Sequence, residues 1–157
     1  MTIELWTLGK EHTKLLDDGI HEYVKRINRY HAFSLINIDN SKINKKLSKE
    51  LVLEKEATLI LSKLHEKDIL ITLDERGQSF TSIQFAEKLN NLMTISSTKI
   101  IFLIGGSYGI AESVKKKSKL IMKLSSFTFP HQIVRLLFTE QLYRAFSILK
   151  NEKYHHE

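Results

Sequence analysis

Residues Ile100–Gly109 (IIFLIGGSYG) join a continuous apolar run to a glycine-rich loop. A second apolar run, Leu120–Leu124, is followed by the polar and aromatic stretch Ser125–Phe129 and then by Pro130, the only proline in the sequence. Short apolar runs of this kind are typical of strands buried on both faces of a parallel sheet. We expect these two strands to be neighbours whose carboxyl ends form the two sides of a crevice, where open α/β sheets bind ligands.

Strand and helix patterns alternate outward from this stretch. Strands are predicted at residues 3–8, 32–38 and 69–73, and residues 74–77 (DERG) are predicted to be a loop. Helical spacing of apolar residues predicts helices at 14–29, 45–64, 81–93, 111–117 and 131–151, the third of them opened by a capping box from Thr81 to Gln84. This alternation predicts an α/β fold with a mostly parallel sheet flanked by helices. We interpret residues 1–157 as a single domain.

Composition limits the function. The 157 residues include no cysteine, which excludes disulfides, thiolate zinc sites and a cysteine nucleophile. No apolar run approaches the ~20 residues of a membrane span, and no targeting pattern is visible, so we expect a cytoplasmic protein. The net charge of +6 fits an anionic partner such as nucleic acid, or an ordinary basic surface. Lysines cluster at positions 115–119 and at Lys42, Lys45, Lys46 and Lys49.

The last predicted helix is apolar on more than one side. One stripe contains Val134, Phe138 and Leu142, and Tyr143 and Phe146 extend the apolar surface around the helix. A helix that is wet on one side does not have this pattern. Either the helix is sandwiched inside the domain or its second face meets another subunit, and we expect the second, in a homodimer.

Both loops of the expected crevice have two readings. The glycines of the first loop serve either a tight turn or the close approach of a ligand, and their spacing does not match a dinucleotide fingerprint. In the second loop, Thr128 and Pro130 fit the start of the following helix. Phe127 and Phe129 would pack into the core or form the wall of an adenine site.

The histidines show no metal-ligand spacing, and we expect no metal. The C-terminal residues 151–157 are either a frayed end or, through Tyr154 and His155, a stacking ring and an imidazole that handle a base.

Three ordered segments resemble one known family. They are Leu73–Gly77 (LDERG), Phe102–Gly109 (FLIGGSYG), and the segment that begins with Phe127–Gln132 (FTFPHQ) and continues through Arg135 and residues 140–145 (EQLYRA) to Tyr154-His155. Together they are similar to the ribosomal RNA large subunit methyltransferase H family of the SPOUT superfamily. The similarity extends over the whole chain and is most specific from Leu70 to His155.

The resemblance implies an α/β fold with a deep trefoil knot toward the C-terminus. It implies transfer of a methyl group from S-adenosylmethionine to N3 of a pseudouridine in large-subunit ribosomal RNA, by a homodimer acting on assembled ribosomes. Residue by residue, it implies that the cofactor is held by Leu73, Gly105, Leu124, Ser125, Ser126, Phe127, Thr128 and Phe129. It assigns acceptor handling to Arg144, Tyr154 and His155, with the tail completing the partner subunit's site.

The chemistry is compatible with these residues. A sulfonium methyl donor needs neither a metal nor a protein nucleophile, only an in-line approach and a deprotonated acceptor nitrogen. Arg144 would stabilise the developing anion, and His155 or His131 would take the proton. Two other classes stay open: a non-catalytic RNA-binding ribosome assembly factor, and an unrelated nucleotide-dependent enzyme, against which the broken glycine fingerprint counts.

Overall fold

The computed structural model describes residues 1–9 and 12–156. Strands and helices alternate along them, as the sequence pattern predicts. The strands are β1 (Thr2–Leu8), β2 (Phe33–Ile38), β3 (Ile69–Ser79), β4 (Lys99–Ile104) and β5 (Leu120–Lys123). The helices are α1 (Lys14–Ile27), α2 (Lys49–Lys63), α3 (Ser82–Met93), α4 (Glu112–Lys115) and α5 (His131–Leu149). None of the described helices is long and apolar enough to cross a membrane.

All paired strands run parallel, in the order β2-β1-β4-β3-β5. The prediction of a parallel α/β sheet is therefore confirmed. The prediction that β4 and β5 are neighbours is wrong, because β3 lies between them and pairs with both. Three strand ends, rather than two, therefore meet at the carboxyl edge where the glycine-rich loop begins.

Strand β3 is longer than predicted because residues 74–77 do not form a separate loop. The ladder to β5 pairs both Leu73 and Gln78 with Met122, so the residues between them bulge out while the strand continues. A β-carbon on Gly77 would lie 2.6 Å from backbone atoms of Met122. Glycine is thus required at this close approach, which lets the bulge remain within the sheet.

The sheet is covered on both faces. One core cluster packs residues of α1, α3 and α5 against it, with the rings of Phe102 and Phe138 fully buried and their centroids 4.6 Å apart. The other core packs α2 and α4 against the opposite face, through Ala57, Ile60 and Val114. Helices on both faces explain why β4 is apolar at nearly every position.

Helix α2 begins later than predicted, and its buried face includes a charged residue. It begins after Ser48, whose hydroxyl accepts a hydrogen bond from the Leu51 amide at 3.3 Å. The apolar side chain of Leu51 is 44% exposed. The buried face instead contains a charged residue, since it consists of Val52, Glu56, Ala57 and Ile60.

The starts of α3 and α5 give one confirmed prediction and one that is wrong. Thr81 and Gln84 form the predicted capping box of α3. Thr128 does not cap α5: the N-cap is Pro130, without a side-chain hydrogen bond, and the Thr128 hydroxyl donates to Glu75 Oε2 at 3.1 Å. Thr128 therefore joins two loops rather than serving its own helix.

Candidate functional site

A cleft of about 560 Å³ opens at the carboxyl ends of β3, β4 and β5. Its walls come from the β3 bulge, the glycine-rich loop after β4, the loop after β5 and the first turn of α5. The cleft lies at the expected edge of the sheet, at the point where the order of the strands departs from their order in the sequence. Most of the residues predicted to bind a cofactor line it: Leu73, Gly105, Leu124, Ser125, Phe127, Thr128 and Phe129.

Ser126 is the predicted cofactor residue that does not line the cleft. It is exposed, and its hydroxyl lies 3.5 Å from Lys123 Nζ. His131, predicted to handle the acceptor, does line the cleft and is half-buried at the first position of α5.

The glycine-rich loop closes tightly on itself. The Gly109 amide donates to the Gly106 carbonyl at 3.0 Å, and Gly109 has a φ of +86°. A β-carbon on Gly105 would lie 2.5 Å from the Gly109 carbonyl oxygen and 2.6 Å from Ile110 Cγ1. Gly105 is therefore required by the backbone of the loop itself, which is a stronger reason than the ligand approach inferred from sequence.

A buried carboxylate supports this loop from below. Glu56 on α2 is 4% exposed, and its Oε1 accepts a hydrogen bond from Asn40 Nδ2 at 3.0 Å. A β-carbon on Gly106 would lie 2.7 Å from Glu56 Oε1. Burial raises the pKa of Glu56, and the hydrogen bond from Asn40 offsets part of that rise.

A second carboxylate in the cleft wall has the opposite shift. Asp74 Oδ2 lies 2.9 Å from Lys115 Nζ, and both side chains are mostly buried. Burial alone would raise the pKa of Asp74. The hydrogen bonds from Lys115 and from the Arg76 amide outweigh burial and hold that pKa below its usual range. Asp74 therefore stays ionised and fixes α4 to the β3 bulge.

The loop after β5 presents an aromatic ring at the lip of the cleft. The Phe127 amide donates to Ser125 Oγ at 3.0 Å, which forms a local turn. The Phe127 side chain is 80% exposed, whereas Phe129 is half-buried. Of the two readings given to these rings, core packing is excluded for Phe127.

Arg144, Tyr154 and His155 form a separate cluster around Glu140. The Arg144 guanidinium donates to Glu140 Oε1 through Nε at 3.0 Å and Nη2 at 2.5 Å, and the Tyr154 hydroxyl donates to the same oxygen at 3.1 Å. Arg144 Cζ also lies 4.7 Å from the centre of the Tyr154 ring. Arg144, Tyr154 and His155 were predicted to act together, and the structure brings them together.

The hydrogen bonds of this cluster define the protonation of its members. Arg144 Nη1 lies 3.2 Å from His155 Nδ1, and because arginine has no acceptor, Nδ1 must accept and the neutral ring carries its proton on Nε2. Burial raises the pKa of Tyr154, and its hydrogen bonds with Tyr23 and Glu140 raise it further. The Tyr154 hydroxyl therefore donates to Glu140, and His155, which accepts at Nδ1, has Nε2–H as its only ring donor.

The tail that carries Tyr154 and His155 is fixed on its own helix. Asn151 adopts a φ of +54° after the end of α5, the Glu152 amide donates to the Ser147 carbonyl at 2.9 Å, and the Tyr30 hydroxyl donates to Glu152. Tyr154 and His155 are half-buried. The interpretation of residues 151–156 as a frayed end is wrong.

The cleft and the tail cluster lie far apart in one chain. His131, at the cleft, and Arg144, in the cluster, are both on α5, and thirteen residues of helix span about 20 Å. A single chain therefore does not bring the cluster to the cleft.

Four residues that contribute to these sites were not found from the sequence. Asn40, Glu56 and Lys115 lie beside the cleft, and Glu140 is the centre of the tail cluster. Glu56 had a readable signal, because it lies four residues from both Val52 and Ile60 on one helical stripe. Across the described residues, no group of three or more histidine, aspartate or glutamate side chains could hold a metal ion.

Comparison with known proteins identifies the family of this chain. The family described as "Predicted SPOUT methyltransferase" matches residues 1–155 of the chain. A solved structure of a probable methylase family protein from Haemophilus influenzae is similar in fold, with a TM-score of 0.55, 12% identity, and coverage of 99% of this chain and 70% of that one.

The nearer relatives narrow the class. Proteins named Ribosomal RNA large subunit methyltransferase H from Flavobacterium johnsoniae and Cytophaga hutchinsonii are 46% and 43% identical, over 100% and 99% of this chain and all of their own length. The chain therefore belongs to the SPOUT methyltransferases and, within them, to the ribosomal RNA large subunit methyltransferase H family. This confirms the resemblance read from the three sequence segments.

Proposed function

We propose that this protein transfers a methyl group from S-adenosylmethionine to N3 of a pseudouridine in large-subunit ribosomal RNA, acting on assembled ribosomes. The observation that carries the proposal is the cleft at the ends of β3, β4 and β5, lined by the glycine-rich loop and by residues of the segment 124–129. Its volume is in the range of small-molecule sites. The names of the relatives support ribosomal RNA as the substrate.

The cleft has the surfaces that S-adenosylmethionine needs. Leu73, Leu124 and Phe129 offer apolar walls for the adenine, and the polar turn at Ser125, which also lines the cleft, lies beside them for the ribose and the amino-acid end. Bound there, the cofactor supplies a methyl group on a positively charged sulfur. We expect Ser126 to contact it least, since its side chain points away from the cleft lining. We also expect the chain at this end to form the trefoil knot that the family resemblance implies.

The acceptor chemistry belongs to the tail cluster and to His131. N3 of the pseudouridine must lose a proton as it gains the methyl group. The Arg144 guanidinium, held by Glu140, stabilises the negative charge that develops on the base. Because His155 accepts from Arg144, its Nε2–H donates to the base, and His131 at the cleft accepts the proton.

The separation of the two sites favours a homodimer with composite active sites. About 20 Å of helix separates His131 from Arg144, whereas methyl transfer requires the donor and acceptor to be about 3–3.5 Å apart. In a symmetric dimer, the tail cluster of one subunit is placed beside the cleft of the other. Phe146 is buried and Tyr143 packs against the core of its own chain, so the apolar residues available for that interface include the exposed Leu15 on α1 and the half-buried Ile133 and Leu137 on α5.

A direct test measures binding and transfer together. Isothermal titration with S-adenosylmethionine should give saturable binding. Ribosomal particles from a strain that lacks the protein should then gain one methyl group on a pseudouridine, detected by mass spectrometry of the nucleosides. Particles that carry uridine at that position test whether the pseudouridine is required, since uridine also has an imide N3, and comparison with N1- and N3-methylpseudouridine standards identifies the methylated nitrogen. An assembly factor without catalysis would bind particles but neither bind the cofactor nor transfer a methyl group.

A further inference from the structure

Glu56 is a buried acidic side chain without a cationic partner among the described residues. It lies 4% exposed on the core-facing side of α2, and only its Oε1 is hydrogen-bonded, by Asn40 at 3.0 Å. Its Oε2 is buried and has no hydrogen-bond partner among the described residues. A glutamine in this place would accept the same hydrogen bond without a charge. An ionised carboxylate buried with one donor and no cation is costly, which is why burial raises the pKa of Glu56, and a cationic ligand in the cleft would offset that cost.

The charge lies directly under the cleft. A β-carbon on Gly106 would be 2.7 Å from Glu56 Oε1 and 2.9 Å from Oε2, and Gly106 itself lines the cleft. The carboxylate therefore packs against the glycine-rich loop, whose residues line the cleft. The absence of a side chain at Gly106 allows this approach.

The other carboxylates of the cleft do not offer the same field. Asp74 is neutralised by Lys115 at 2.9 Å. Glu75 and Glu112 are exposed to solvent, which screens their charges; Glu75 accepts a hydrogen bond from Thr128, and Glu112 lies 3.5 Å from Lys115 Nζ. Glu56 is buried and lacks a cationic partner among the described residues, so its charge acts through a medium of low dielectric constant.

We propose that Glu56 is a buried counter-charge that makes the cleft prefer the cationic methyl donor over its neutral demethylated product. This inference rests on the proposed use of S-adenosylmethionine. In the reaction the bond between sulfur and the methyl carbon breaks, the electron pair stays on sulfur, and the methyl group joins N3 of the base, which loses its proton. The sulfonium becomes an uncharged thioether, so the attraction to Glu56 ends with the transfer and product release is favoured.

The test compares two ligands that differ by the methyl group and the charge. Isothermal titration measures the affinities of S-adenosylmethionine and S-adenosylhomocysteine for the full-length protein, for Glu56→Gln, and for the matched control Glu54→Gln on the exposed side of α2. We expect Glu56→Gln to weaken binding of S-adenosylmethionine about tenfold and to leave S-adenosylhomocysteine within about twofold. Glu54→Gln should change neither affinity.

A second variant covers the case in which Glu56→Gln does not fold. Gly106→Ala keeps the carboxylate but places a methyl group 2.7 Å from its Oε1, so the Glu56 side chain must move away from the loop. We expect this variant to lose affinity for S-adenosylmethionine relative to S-adenosylhomocysteine, as Glu56→Gln does. Equal weakening of both ligands would reduce Glu56 to a support for the loop, and unchanged affinities would remove any role; either result overturns the inference. If the unmodified protein binds neither ligand, it is the proposed function that fails.

Discussion

The cleft and the tail cluster both contain residues of α5, but they are built in different ways. The cleft depends on backbone shape: Gly77, Gly105 and Gly106 each face an atom that a β-carbon would strike. The tail cluster depends on side chains, with Arg144, Tyr154 and His155 joined through Glu140 and one another. Substitutions in the cleft should therefore act by disturbing the fold of its loops. Substitutions in the tail cluster should act by removing the charge of Arg144 or the orientation of the side chains around it.

Removal of the tail should have the largest effect. Deletion of residues 154–157 leaves every residue of the cleft in place, so the affinity for S-adenosylmethionine should change little. The rate of methyl transfer should fall by at least about a thousandfold, because interactions made only in the transition state are lost. Single-turnover transfer to ribosomal particles, with isothermal titration of the cofactor, measures both quantities.

Mixed dimers give the matched control for that deletion. The truncated chain should regain activity when it is mixed with Ser125→Arg, which blocks the cleft but keeps the tail. Recovery would come from dimers that contain one intact composite site. If heterodimers form and remain inactive, each site is built from one chain, and the separation of cleft and tail within a chain has been misread.

Arg144 tests the tail cluster more finely. Arg144→Lys keeps a positive charge but loses the paired hydrogen bonds to Glu140 and the contact with His155. We expect transfer to slow by about a hundredfold, the scale found when one donor to a developing anion is removed. The control is Arg26→Lys, a cation near the rings of Tyr23 and Tyr143 whose partner is Glu22. A similar loss in both variants would indicate a general effect on the aromatic surface.

Glycine substitutions test the cleft by the same logic. A methyl group on Gly105 meets backbone atoms at 2.5 Å, whereas one on Gly109 meets nothing within 4 Å and suffers only from the φ of +86°. We expect Gly105→Ala to lower the free energy of unfolding by about 3 kcal/mol and Gly109→Ala by about 1–2 kcal/mol. Urea unfolding curves measure both values, and equal losses would contradict the backbone account.

The sequence predicted the cleft better than it predicted what surrounds it. Strand ends followed by glycines, hydroxyls and aromatics indicate a ligand edge without knowledge of strand order. Most of the cofactor residues that the family resemblance implies lie at that edge, although β4 and β5 are not neighbours. Residues 74–77 were placed in a loop because charged residues and a glycine normally end a strand. They remain in β3 because β5 continues to pair beyond the bulge.

Pairs that are distant in sequence explain the remaining misses. The ion pair between Asp74 and Lys115 joins two elements 41 positions apart, and no local pattern indicates it. Glu56 resembles any glutamate on a solvated helix unless its position in the stripe from Val52 to Ile60 is given weight. The conformation of the tail could not be predicted because a short polar terminus has no periodicity. Its contacts in the structure, among them those with Arg144 and Tyr30, show that it is fixed.

The smallest predicted effect is the pH dependence of stability that two mostly buried carboxylates beside the cleft, Asp74 and Glu56, contribute. Asp74 has a lowered pKa in the folded protein, so its stabilisation is present above the usual carboxyl pKa and is lost as the pH falls through the lowered value. Glu56 has a raised pKa, so its contribution favours folding in acid and is lost as the pH rises through the raised value.

Asp74→Asn should therefore be less stable than the unmodified protein at neutral pH, with the difference shrinking in acid. Glu56→Gln should be equally or more stable at neutral pH, with its advantage also shrinking in acid. Each difference should stay within about 2 kcal/mol, and urea unfolding from acid to neutral pH measures it. Differences of the same sign for both variants would show that the two carboxylates do not have opposite environments, and would remove the physical basis for treating Glu56 as a charge retained for the ligand.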